Sequence, residues 1–133
     1  MTFTRTDLLV DISDKELDGI TTKLIQYGDP DPIDSTIAEQ QARMERYIHF
    51  YVIDDGYQKT LLRALVLWRL FQRIGAIADK RQKSYDDAMK ELREIRDGKF
   101  KTLPLKDPQP TDSNAGRGAS GSNQRYQDPA FTR

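Results

Sequence analysis

The sequence predicts an all-α fold: a compact bundle of four to five helices with an extended C-terminal arm and tail. Three observations carry it. Apolar residues recur at intervals of three and four along successive stretches between Leu8 and Ile95, which is the spacing of one helical face. Breakers fall between those stretches, at Gly28, at Asp29-Pro30-Asp31-Pro32, at Asp54-Asp55-Gly56 and at Gly98. After Lys106 the composition turns to Pro, Gly, Ser, Asn, Gln and Asp.

Thr6 or Asp7 is placed to cap a short first helix with Leu8, Leu9 and Ile12 as its apolar positions. Ser13-Asp14-Lys15-Glu16 reads as a capping box, the hydroxyl accepting from the Glu16 amide while the carboxylate reaches back to the Ser13 amide. The helix it opens carries Leu17, Ile20, Leu24 and Ile25, and Gly28 stands just past its end. The two prolines that follow lack amide hydrogens and push each preceding Asp away from helical angles, so this segment reads as a loop. Asp34, Ser35 or Thr36 is then expected to cap a helix with the seam Ile37, Gln41, Met44, Ile48 and Tyr51, widened by Tyr47 and Phe50.

Tyr57 to Ala78 is the most hydrophobic element, with Leu61, Leu62, Leu65, Val66, Leu67, Trp68, Leu70, Phe71 and Ile74. A helix with so little polar surface belongs at the centre of the bundle. Leu65, Trp68, Phe71 and, from the next helix, Leu92 are the expected core. Trp68→Ala is expected to cost about 3–5 kcal/mol if the indole is core. A turn or bend is expected at Asp79 to Gln82. The last helix then runs from about Lys83 to Asp97, with Tyr85, Ala88, Met89, Leu92 and Ile95 on one face. Residues 1–103 are read as the helical domain and 104–133 as the tail.

The segment from Lys99 to Leu105 alternates polar and apolar residues and reads as an extended arm. Asp107 to Arg133 has almost no aliphatic side chains. It cannot bury enough apolar area to offset ordering, which costs roughly 1–2 kcal/mol per residue. Aromatics do recur along it. Phe100, Leu103, Leu105, Tyr126, Phe131 and Arg133 are therefore the candidate partner-docking residues, anchors of a segment that orders on assembly.

Among 133 residues, 21 Lys and Arg balance 21 Asp and Glu, so the formal net charge is zero and gives no global argument for nucleic acid or membrane binding. The distribution is uneven. Met1 to Asp34 holds eight acids and three bases, a net of −5, and Lys59 to Lys106 holds thirteen bases and six acids, a net of +7. Either these halves pair within one domain, or the acidic end of one subunit faces the basic part of the next. Arg63, Arg69, Arg73, Lys80, Arg81 and Lys83 are the candidate channel or inter-subunit charges. Arg63–Asp97 and Lys83–Asp87 are pairs that would satisfy some of them internally.

No cysteine is present, which excludes disulfides, thiolate nucleophiles and Cys-based zinc sites and fits a reducing compartment. No run of 18 apolar residues suggests a membrane span, and Met1 to Asp7 lacks a signal-peptide core. His49, the one histidine, lies between aromatics with no evident catalytic partner. The glycines form no phosphate-cradling loop. Asp29, Asp31 and Asp34 do not fit a calcium loop, because Asp34 stands where a glycine is needed and Gln40 where a bidentate Glu is needed. No catalytic residue, cofactor or metal is expected.

The order of features then becomes recognisable. Thr6-Asp7-Leu8-Leu9 leads to Lys15-Glu16-Leu17, an acidic loop, and a helix with Ile37-Ala38-Glu39 and Tyr47-Ile48. Next come Leu61-Leu62-Arg63-Ala64-Leu65-Val66-Leu67-Trp68-Arg69-Leu70 and the Tyr85-Asp86-Asp87-Ala88 helix closing on Gly98-Lys99. This resembles the Mu-type phage head–tail connector, or neck adaptor, proteins over about residues 3 to 103. The ending Phe131-Thr132-Arg133 resembles part of an aromatic-Ser/Thr-Arg segment of relatives. The resemblance implies a homo-oligomeric ring of twelve copies beneath the phage portal protein, joining it to a downstream neck or tail-completion protein. It implies assembly in the host cytoplasm, residence in the virion neck, and non-specific contact with packaged DNA. A small helical DNA-binding or regulatory phage protein is the alternative. If the tail acts only on assembly, deleting Asp107 to Arg133 leaves the thermal unfolding of the domain almost unchanged while weakening oligomer formation, as read by calorimetry and light scattering.

Overall fold

The structure, a computed structural model, describes residues 1–99 and 104–105. Among these residues the fold is all-α, with five helices: α1 Arg5–Leu8, α2 Asp14–Gln26, α3 Pro32–Ile48, α4 Asp55–Arg73 and α5 Asp79–Arg96. Helix α4 packs against each of the other four. α3 also meets α5 and α2. The core is one continuous cluster that runs from Phe3 and Leu8 through Leu17, Ile37, Met44, Leu62, Leu65 and Leu70 to Leu92 and Ile95. Burying each such side chain contributes about 1.5–3 kcal/mol before entropy is subtracted.

The first helix starts earlier than expected. Its N-cap is Thr4, and the Thr4 amide donates to the Asp7 carboxylate at 2.9 Å, so Asp7 closes the first turn from inside the helix. At α2 the Ser13 hydroxyl accepts from the Glu16 amide at 3.1 Å, which is one half of the expected box. Gly28 lies beyond the C-cap Tyr27, and the Asp29 amide closes the helix by donating to Leu24 O at 3.1 Å.

Helix α3 begins at Pro32, not after Asp34. A proline at the first helical position loses no bond, because that amide has no intrahelical acceptor, and its fixed φ suits the helix. Its buried seam is Ile33, Ile37, Gln40, Met44 and Ile48. Gln40 therefore replaces the expected Gln41, by one residue. The helix stops at Ile48, which takes Phe50 off the seam and leaves it 63% exposed.

Asp54-Asp55-Gly56 is less a break than a helix start. The Asp54 carboxylate accepts from the Tyr57 amide at 3.1 Å, and α4 begins at Asp55. At its other end α4 stops five residues before Ala78. Gly75 adopts φ +70, a left-handed conformation that costs glycine little. The Gly75 amide donates to Gln72 O at 3.0 Å and the Ala76 amide to Phe71 O at 2.9 Å. Two backbone bonds thus seal the helix before Ile77. The turn falls at Gly75 to Ala78, and Asp79 to Gln82, expected as a turn, forms the first turn of α5.

Leu65 and Leu92 are fully buried. Trp68 and Phe71, expected beside them, are half-buried at the rim of the cluster. Trp68 stacks on Tyr85 with ring centroids 3.8 Å apart and planes 15° apart, and its indole N–H donates to Gln82 Oε1 at 3.0 Å. The ring joins α4 to α5 near the surface, with its polar edge satisfied. Leu70→Ala, at a site with no exposure, is expected to cost about 2–5 kcal/mol in urea unfolding followed by circular dichroism. Trp68→Ala should cost less than Leu70→Ala, since its notch opens to water. A larger loss for Trp68→Ala would place the indole inside the core.

Candidate functional site

The polar residues of α4 lie where the bundle needs ties. Lys59 Nζ is 3.4 Å from Asp7 Oδ1, and Arg63 Nε donates to Asp7 O at 2.7 Å. One turn of α4 thus holds α1 by both its side chain and its backbone. Near the other end, Arg69 Nε reaches Glu39 Oε1 at 3.1 Å. Arg73 donates to Asp29 Oδ2 at 2.7 Å and to Thr36 Oγ1 at 2.9 Å. The guanidinium of Arg73 fastens the end of α4 to both the loop before α3 and the first turns of α3. From α5, Arg81 donates to Asp11 O at 2.7 Å and lies 5.3 Å over the Phe71 ring.

The acidic and basic halves therefore meet within one chain. Four of the six candidate inter-subunit charges are engaged inside the chain: Arg73 on the Asp29 carboxylate, Arg69 on Glu39, and Arg63 and Arg81 on the backbone carbonyls of Asp7 and Asp11. Lys83 pairs with Asp87 along α5 at 3.3 Å, while both side chains remain well exposed. Lys80 is exposed and makes no hydrogen bond or ion pair among the described residues. The proposed Arg63–Asp97 pair does not form: Arg63 is on Asp7, and Asp97 pairs with Arg96 at 3.1 Å.

These ties bear on carboxylate acidity. The Arg73 guanidinium, followed by the Asp31 amide, holds the Asp29 carboxyl below its ordinary value of 3.8. The Thr4 amide, with help from Lys59, lowers that of Asp7. On the opposite side of α4 the Tyr57 hydroxyl donates to Glu91 Oε1. Burial, then this carboxylate, raises the Tyr57 pKa. Tyr51 is likewise raised, by burial and then by Asp97.

Clefts among the described residues flank α4. One, of about 230 Å³, has Leu61, Ala64, Leu67 and Ala88 as apolar lining and Asp11, Arg81, Asp87 and Glu91 as charged lining. Another, of about 320 Å³, lies between α3 and α4 with Glu39, Gln40, Arg43, Arg46, Trp68 and Arg69. In the second, Gln40 is buried and its amide nitrogen donates to Glu39 at 3.0 Å, while its oxygen has no partner. Arg43 is committed to the Tyr85 hydroxyl at 2.7 Å. No group of three or more His, Cys, Asp or Glu among the described residues is placed to hold a metal ion. No helix of the described residues is long and apolar enough to cross a membrane. His49 is exposed and lies against Phe50, ring centroids 3.9 Å apart.

Of the candidate docking residues, Leu105 is described. It forms an isolated antiparallel bridge with Tyr51, and the Val52 amide donates to Pro104 O at 2.7 Å. Leu105 is 46% exposed, and Phe50 and Val52, on either side of Tyr51 in sequence, are 63% and 51% exposed. The first two residues assigned to the tail thus lie against the segment after α3. Phe100, Leu103, Tyr126, Phe131 and Arg133 fall outside the described residues. Sequence reasoning missed Phe50 and Val52 as surface groups because it extended the α3 seam past its real end. The alternation around Leu105 was the available signal, since alternation suits a paired extended segment.

The class of protein this fold defines is a small all-α domain tied together by its own charges. A family model described as Bacteriophage Mu, Gp36 matches residues 57–120, which takes in α4 from its first turn, all of α5 and the segment after it. No curated protein and no solved structure matches. Over 64 of 133 positions, then, the chain is similar to a Mu-type phage protein. The match starts later than the resemblance read from residues 3 to 103 and runs further toward the C-terminus.

The depressed Asp29 and Asp7 values carry a sign. Stability from them is present above the unfolded value near 3.8 and is lost as pH falls through the lower folded values. The thermal midpoint should hold between about pH 5 and 8 and fall in more acid solution. Asp29→Asn should lower the neutral midpoint and flatten that acid limb. An acid limb unchanged in Asp29→Asn would show that the Arg73 pair contributes nothing to it.

Proposed function

We propose that the chain is a structural head–tail connector of a tailed phage, a ring-forming adaptor beneath the portal that extends the DNA channel and joins head to tail. The observation that carries this reading is the match of α4, α5 and the following segment to a Mu phage family. The geometry is compatible with a mechanical part. The bundle is cross-tied at both ends of α4, and exposed Phe50, Val52 and Leu105 offer apolar groups for assembly. The role requires no catalysis or cofactor. Its partners are further copies of the chain, the portal above, a neck or tail-completion protein below, and packaged DNA as a non-specific contact. Its place is the virion neck, reached by assembly in the host cytoplasm.

The alternative, a DNA-binding or regulatory phage protein, has less support. Four of the bases it would use are committed inside the chain, and α4 is surrounded by other helices, so it offers no face to a groove. Electron microscopy of this chain co-expressed with its portal should reveal an added ring on the portal. An intact portal with no added density overturns the connector reading. Duplex DNA titrated in low salt should bind weakly and without sequence preference. Tight, sequence-selective binding that falls steeply with salt favours the alternative.

A further inference from the structure

We infer that the edge Tyr51–Val52, which in this structure takes Pro104 and Leu105 of its own chain, is the acceptor for the same residues of a second copy. Neighbouring subunits would be linked by exchanged arms. This rests on the ring reading above and names the contact that would build the ring.

The first ground is recognition. Among the described residues, Tyr51–Leu105 is the one β-type pairing. The Val52 amide donates to Pro104 O at 2.7 Å, so this short edge fits this segment by main-chain bonding, as in strand addition. Every copy of the chain carries the identical segment. An edge that accepts it in cis accepts it in trans by the same bond.

The second ground is how lightly the segment is held. Leu105 stays 46% exposed after docking, and Phe50 and Val52, which flank Tyr51 in sequence, stay 63% and 51% exposed. Apolar surface is thus left open at the acceptor edge, for a second copy to cover. Releasing the segment from its own domain gives up little that the same segment on a neighbour does not restore. Exchange of an identical element is a low-cost route to assembly.

The third ground is the pivot. Helix α5 is closed by the Lys99 amide donating to Glu94 O at 2.9 Å, with Gly98 at φ +75. A Cβ at Gly98 would sit 3.6 Å from the Tyr51 hydroxyl, so the pivot and the acceptor edge are adjacent. The helix end stays sealed whichever edge the arm then takes. Five residue steps separate Lys99 from Pro104, a reach of at most about 17 Å. That short reach requires the acceptor to be an immediate neighbour. Each subunit gives one arm and takes one, a head-to-tail contact that closes into a ring when the rotation allows.

The chain contains no cysteine, which makes the test direct. Tyr51 and Leu105 form the pair across the bridge, and such pairs bring Cα atoms to about 4.5 Å, inside the range a disulfide spans. Two differently tagged full-length chains, one Tyr51→Cys and one Leu105→Cys, are co-expressed with the portal and oxidised. Exchange predicts a covalent heterodimer on a non-reducing gel. The double variant Tyr51→Cys/Leu105→Cys should then give a ladder of linked copies. A double variant that stays monomeric through an internal disulfide, with no heterodimer in the mixture, overturns exchange. Should Tyr51→Cys fail to fold by circular dichroism, a photo-crosslinking amino acid at half-exposed Leu105 gives the same readout. Crosslinks between copies support exchange, and crosslinks confined to one chain overturn it. Micrographs of the same samples separate the two readings. A ring with only internal crosslinks overturns exchange alone, and crosslinks between copies without a ring on the portal overturn the connector reading alone.

Discussion

The burial of α4 is the constraint on which the rest of the structure depends. Leu61, Leu62, Leu65, Val66, Leu67 and Leu70 spread over roughly two thirds of its circumference. A helix with apolar residues on that many sides is stable only when covered on that many sides. Four helices supply the cover, and each touches α4. Its four basic positions are used as ties. Lys59 and Arg63 hold α1, while Arg69 and Arg73 hold α3 and the loop before it. The two sets are each spaced by four, one helical turn, so each pair reaches one neighbour.

Those ties decide how the charge asymmetry is used. The acidic stretch Met1 to Asp34 and the basic stretch Lys59 to Lys106 are complementary, and among the described residues they meet through Lys59–Asp7 and Arg73–Asp29. The Arg73–Asp29 ion pair, at 2.7 Å, is shorter than Lys59–Asp7 and Arg69–Glu39, and both its side chains are mostly shielded from water. Exposed ion pairs contribute little, about 0–1 kcal/mol, and Lys83–Asp87 belongs with those. What remains outward is a set of lysines and arginines on α5, with Lys80, Lys90 and Arg93 among them, and scattered apolar groups.

The presence and order of the helices were legible in the chain because amphipathic spacing and punctuation are local. Ser13 capped as its position suggested, and Gly28 and Gly98 stopped their helices. Boundaries that depend on less conspicuous local bonds were harder. Pro32 reads as a loop residue until its place at the first helical position is seen, and Gly75 ends α4 inside a run of apolar letters. Gln40 and Gln41 cannot be separated by periodicity, since both lie within the width of one helical face. The partners of the arginines were not legible at all. Arg63 and Asp7 are 56 positions apart, and a backbone carbonyl has no letter in the sequence.

From the sequence alone followed the all-α class, the central place of α4, the fully buried Leu65 and Leu92, and a resemblance to phage connector proteins. These depend on composition and on spacing along one helix, which a linear string records. Only the tertiary structure decided that the opposite charges pair within one chain, that Trp68 and Phe71 stand at the rim, and that Leu105 returns to Tyr51. Each of these depends on where residues far apart in the chain come to lie once α4 has been covered. The physical reason is that an ion pair, a ring stack or a strand pairing needs two partners at bonding distance, and packing alone brings them there.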